Sequence, residues 1–188
     1  MKDDASKLIR YYGLRAGVAL LWVGTALTAG RLNPAIRDVL LVAYPAWDAV
    51  ANGLDARAHG GLGANRGQAV NVAVSGGTAL AMAAALTWSL NAALGVFGAW
   101  AVLAGVLQLV VGVRRWRAVG SQWAMVLSGA QSAIAGLVFV KGALGPAVPG
   151  IEAFAPYAAF GAFYFVVSGI ALAISSRTAS SAMRSRRA

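Results

Sequence analysis

Gly67 to Val113 reads GQAVNVAVSGGTALAMAAALTWSLNAALGVFGAWAVLAGVLQLVVGV, 47 residues without one Lys, Arg, Asp or Glu. A bilayer core takes about 20 apolar residues per helical crossing, so the run holds two crossings. The polar break Trp88-Ser89-Leu90-Asn91 separates them. Ala118–Val140 and Ala153–Ser176 are further charge-free stretches of spanning length. The chain of 188 residues is 59% hydrophobic and 12% charged, well outside the range of a soluble domain. Alternation of period two is absent, which argues against a membrane β-barrel. Backbone groups in lipid must be satisfied internally, so the spans must be regular helices.

The sequence therefore predicts an all-α polytopic membrane protein with six transmembrane helices. They cover about Tyr11–Gly30, Ile36–Ala56, Gln68–Thr87, Asn91–Val113, Gln122–Lys141 and Ala153–Ser175. Residues 1–10 form a cytoplasmic segment, 11–176 the transmembrane domain, and 177–188 a basic tail expected to be disordered. The turns carry their own signals: Leu32-Asn33-Pro34, Gly60-Gly61-Leu62-Gly63, and Gly145-Pro146-Ala147-Val148-Pro149-Gly150. The N-terminus lacks a small-residue cleavage signal, so the first helix reads as a retained anchor.

Charge sorts by side under this topology. Lys2, Lys7, Arg10, Arg15, Arg57, Arg66, Arg114, Arg115, Arg117, Arg177, Arg184, Arg186 and Arg187 fall on one side, which is thirteen of sixteen. Arg31, Arg37 and Lys141 fall on the other. The positive-inside rule puts both termini in the cytoplasm. The net charge of +10 is thus spread between spans rather than gathered on one face, and nucleic acid is not an expected partner. Tyr11, Tyr12, Trp88, Trp116 and Trp123 fall at expected interfaces, where amphipathic rings belong.

Two motifs repeat. Tyr44-Pro45-Ala46-Trp47 recurs as Phe97-Gly98-Ala99-Trp100, and Gly24-Thr25-Ala26-Leu27 as Gly77-Thr78-Ala79-Leu80, both 53 residues on. Phe160-Gly161-Ala162-Phe163 is a third aromatic copy. A shared offset marks an internal repeat, here three hairpins of two helices. Trp47, Trp100 and Phe163 are the expected aromatic packing layer. Gly13/Gly17 and Ser132/Gly136 are small-residue pairs that permit close helix approach and favour self-association weakly.

Against that scaffold the polar exceptions stand out. A charge within a span costs about 2.5–3.5 kcal/mol on insertion scales and marks a partner or a function. Asp48 has Ala101 and Tyr164 as its repeat equivalents. Tyr44, Asp48, Asn52 and Asp55 follow at steps of four, four and three, one stripe of the second helix. Arg15 lies level with Asn52 in an antiparallel hairpin. A contact from Arg15 to Asp48 or Asp55 is expected, as a structural pin or as a charge-lined vestibule. Asn71 and Gln108 map to the same half of their helices, and Gln131 nearer mid-depth. This asymmetry disfavours a water-filled pore, which needs polar lining at every depth.

Catalytic constellations are missing from the sequence. There are no cysteines, and the lone histidine, His59, sits in a Gly-rich segment as an expected solvated loop residue. No second nitrogen or sulfur ligand exists to build a transition-metal site with it. One deep carboxylate cannot perform two-aspartate proteolysis. No phosphate loop or dinucleotide fingerprint appears. A non-enzymatic protein without cofactor or metal is expected.

Gly98-Ala99-Trp100-Ala101-Val102-Leu103-Ala104-Gly105-Val106-Leu107-Gln108-Leu109, then Arg114-Arg115-Trp116-Arg117, then Trp123-Ala124-Met125-Val126-Leu127-Ser128-Gly129, resembles the centre of HdeD-like membrane proteins. These are small bacterial inner-membrane proteins with six helices in repeated hairpins. The resemblance implies the same fold and a role in acid or envelope stress, with no catalytic residues to carry over. Two alternatives stand beside it. One is a small transporter or proton-coupled channel using Asp48 and Arg15. The other is an accessory subunit of a membrane complex. Membrane lipids are expected partners, with a homo-oligomer or another membrane protein as further candidates.

Overall fold

The computed structural model of the chain describes residues 2–119 and 123–185. Gln122, Arg186 and Arg187 lie outside the described residues, as do the side chains of Lys2, Arg114, Arg115, Trp116, Arg117, Arg177 and Arg184. Among the described residues the chain folds into six long helices: α1 Lys2–Thr25, α2 Pro34–Ala58, α3 Arg66–Leu86, α4 Leu90–Val119, α5 Trp123–Ala143 and α6 Ala155–Ser185. A π-turn, Ala26–Gly30, continues α1, and a short 3₁₀ turn, Ile151–Ala153, precedes α6.

The boundaries follow local chemistry. Asn33 caps α2 by accepting from the Ala35 and Ile36 amides at 2.9 and 3.3 Å, with Pro34 opening the helix. Both residues satisfy the geometry of a helix start, since Pro needs no N–H partner there. Gly60 and Gly61 leave α2 at φ of 93° and 87°, a region that favours glycine. Asn91 spans the far turn, donating to the Ala147 and Gly145 carbonyls at 3.0 and 3.2 Å.

Two helices run beyond their expected bounds. α1 begins at Lys2, so the N-terminal segment is helical. α6 runs on to Ser185, so the tail expected to be disordered is helical up to that residue. Five stretches are long and apolar enough to cross a membrane: Ser6–Gly30, Arg66–Leu86, Leu90–Val113, Met125–Ala143 and Ile151–Ser175. The chain is a multi-pass membrane protein on this measure. α2 is not among the five, because Arg37, Asp38, Asp48, Asp55 and Arg57 lower its hydropathy.

The chain divides into two compact units: residues 24–157, and residues 1–23 with 158–188. In the larger unit each helix packs on the next, α2 on α3, α3 on α4 and α4 on α5. Its core holds Leu41, Pro45, Met82, Phe97, Ile151 and Phe154, all fully buried. The α4–α5 pair is the most extensive. Gly98, Gly105 and Gly112 recur every seven residues on α4, and Gly129 and Gly136 do so on α5. A Cβ added at Gly105 would lie 2.5 Å from the Ala133 amide nitrogen, and one at Gly136 would lie 2.6 Å from the Gly98 carbonyl oxygen. Only hydrogen fits at these crossings, so the two backbones approach closely. In the smaller unit α1 and α6 meet through aromatic rings, Tyr12 on Phe165 at 6.3 Å.

Candidate functional site: a polar node on α2

Asp48 lies inside α2, one turn after the buried Pro45. Its carboxylate accepts from Ser75 Oγ of α3 at 2.8 Å and from Asn52 Nδ2 at 3.0 Å. Asn52 Nδ2 also donates to the Asp48 carbonyl at 2.8 Å. Ser75 Oγ in turn accepts from Trp100 Nε1 of α4 at 3.1 Å. Asn52 and Ser75 are buried at 6% and 2% exposure, and Trp100 at 4%. The chain Trp100–Ser75–Asp48–Asn52 thus joins three helices through hydrogen bonds with a carboxylate as acceptor. Bonds to a charged acceptor are shorter and about twice as strong as neutral ones. Inside an apolar bundle each of these groups would cost about 1–3 kcal/mol if left unmade.

An aromatic cluster adjoins the node. Tyr44, one turn before Asp48, meets Trp100 edge-on at 5.9 Å and Phe97 at 6.1 Å. Phe97 packs on Phe154, Tyr157 and Phe139 at 5.1, 5.2 and 5.6 Å. Edge-to-face pairs within 4.5–7 Å are favourable arrangements for aromatic quadrupoles. Ser132 closes the cluster on the α5 side, donating to the Ala101 carbonyl at 2.9 Å and meeting Tyr157 Oη at 2.8 Å.

The stripe read from the sequence therefore separates into parts. Asp48 and Asn52 share one node, and Tyr44 belongs to the aromatic cluster beside it. Asp55 sits in a second cluster at the α2–α3 loop. There its carboxylate accepts from Gln68 Nε2, and His59 Nδ1 lies 3.3 Å away. His59 is 60% exposed in its side chain. Asn71 extends this cluster with a bond to Gln68 at 3.4 Å. No group of three or more His, Cys, Asp or Glu that could hold a metal ion gathers among the described residues.

Arg15 belongs to the other unit. Its Nη1 donates to Tyr11 Oη at 3.1 Å, and its guanidinium carbon stands 4.4 Å from the centroid of the Phe165 ring. Stacking on an aromatic face suits the planar, weakly hydrated guanidinium.

The three aromatic residues of the expected layer differ in burial. Trp100 is buried, Trp47 is half-buried, and Phe163 is 58% exposed and pairs with Tyr164 at 5.6 Å. Trp100 also has a polar task that a packing role does not include. Sequence reasoning missed Ser75 and this task. A serine in the apolar run Val74-Ser75-Gly76-Gly77 was a visible signal, but nothing in the sequence aims it at Asp48. No protein family, curated protein or solved structure matches this chain.

Proposed function

We propose that the chain is a non-enzymatic integral membrane protein of the HdeD-like type, with six crossings and both termini in the cytoplasm. In this reading Asp48 is a structural pin that seats α2 in the membrane. One observation carries the proposal: the Asp48 carboxylate is engaged by Ser75 and Asn52, in a network extended by Trp100 across three helices. A carboxylate with such partners meets much of its insertion cost inside the protein. α2 is 25 residues long, roughly 37 Å at 1.5 Å per residue, enough to span. Its other charges, Arg37 and Asp38 at one end and Asp55 and Arg57 at the other, suit the two surfaces. A sixth crossing also keeps the thirteen basic residues together on one side.

Because the chain has no cysteine, single cysteines at Asn33 and Gly63 give a clean labelling test. Opposite accessibility to a membrane-impermeant thiol reagent supports six crossings, and equal accessibility overturns them. For the pin, Asp48→Asn is measured in detergent and in proteoliposomes. Lower thermal stability with ion and proton flux at background in both proteins is the expected result. Flux in the native chain that Asp48→Asn abolishes would replace the pin by transport. The stress role rests on the sequence resemblance, and acid survival of a strain lacking the protein tests it.

A further inference from the structure

The α3–α4 face carries a groove of about 370 Å³ beside the polar node. Ala73, Gly77 and Ala81 line it from α3, and Ala99, Trp100 and Leu103 from α4. Both helices are long and apolar enough to cross a membrane, so the groove faces hydrocarbon when they do.

The charge at one end of the groove suggests which guest. Arg66 opens α3 and is exposed, with no ion pair among the described residues. It stands seven residues before Ala73, two turns and ~10 Å along the same helix face. Gln68 and Asn71 also lie between them but are tied to the Asp55 cluster, which leaves an apolar face. Val70 is 45% exposed on α3, and Val106 and Val110 are 45% and 42% exposed on α4. The Ser75–Trp100 bond sets the antiparallel register that brings these valines near the same depth. An apolar track thus leads from a cation at a helix end to an open apolar groove.

We propose that this groove holds one acyl chain of an anionic phospholipid whose phosphate pairs with Arg66. The chain would run past Val70 and Val106 and end against the Trp100 ring. Because Trp100 also donates to Ser75, the lipid would touch the same indole that supports the Asp48 node. This inference needs α3 and α4 to cross the membrane and is independent of α2 doing so.

The test uses the full chain in mild detergent, with phosphatidylglycerol or phosphatidylcholine added and retention read by native mass spectrometry. Phosphatidylglycerol should be held about fivefold more tightly, the preference expected of one Arg beside an anionic headgroup. Arg66→Gln should bring the two lipids to parity. Gly77→Leu should remove the retained lipid, since a Cβ there meets nothing within 4 Å and the side chain fills the groove. A second measurement keeps Gly77 intact. Brominated phosphatidylglycerol should quench tryptophan fluorescence, and part of that quenching should vanish in Trp100→Phe. Equal retention of both lipids in the native chain overturns the proposal. So does quenching unmoved by Trp100→Phe, or a dimer that Gly77→Leu dissolves.

Discussion

Two helix interfaces of the same unit are held in opposite ways. α4 and α5 meet through glycine, with hydrogens where side chains would stand and backbone against backbone. α2, α3 and α4 meet through the Asp48 node, where side-chain hydrogen bonds cross between helices. The difference follows from the absence of a hydrophobic drive between helices in lipid. Close packing and polar bonds are the two remaining sources of association. Close packing depends on shape at every crossing point. A polar node depends on a few side chains, each of which needs its partner.

Gly105→Leu should break the comparison most visibly. Its side chain would meet the Ala133 amide nitrogen at 2.5 Å and the Gly129 carbonyl oxygen at 2.6 Å, both backbone atoms that cannot rotate away. A loss of about 3 kcal/mol, at the upper end of overpacking costs, is expected in reversible unfolding in mixed micelles. Asp48→Ala should come next. It leaves the Ser75 hydroxyl without its acceptor and the Asn52 amide with only the backbone carbonyl of residue 48, at a cost of about 1–3 kcal/mol. If Asp48→Ala proves more costly than Gly105→Leu, the polar node and not the glycine crossing is the main fastening of the unit.

Trp100→Phe keeps a large ring in the aromatic cluster and removes only the bond to Ser75. Interhelical hydrogen bonds in membrane proteins average ~0.6 kcal/mol, and a loss of that order in thermal unfolding is expected. The smallest effect belongs to Gly17→Ala. A Cβ there meets nothing within 4 Å, so stability should move by no more than ~0.5 kcal/mol. A larger loss, accompanied by a change in oligomer size on gel filtration, would show that the Gly13/Gly17 face packs against a second copy.

Much of the fold was legible in the sequence because hydrophobic runs and turn chemistry are local. Asn33-Pro34 predicts the cap it forms, and Gly60-Gly61 the exit from α2. Asp48 was legible as an exception because it is a carboxylate set among Ala46, Trp47, Ala49 and Val50. Its partners were not. Ser75 is 27 residues away and Trp100 is 25 beyond that, and only the registers of α2–α3 and α3–α4 bring them together. The even spacing of Tyr44, Asp48, Asn52 and Asp55 suggested one stripe with one purpose. Asp55 instead turns to Gln68 and His59, because its nearest donors lie in the first turn of α3 and at the C-cap of α2.

By itself the sequence determined the helices and their order, the turns and the sites where polarity is out of place. All of these follow from composition over a few neighbouring residues. Tertiary structure decided which small residues become crossings and which stay open, as Gly105 and Gly77 illustrate with the same side chain and opposite surroundings. It also decided that a tryptophan read as packing serves as a donor to a buried serine. The reason is register. Helix periodicity shows which residues share a face, but only the packed depth of one helix against another shows what that face meets.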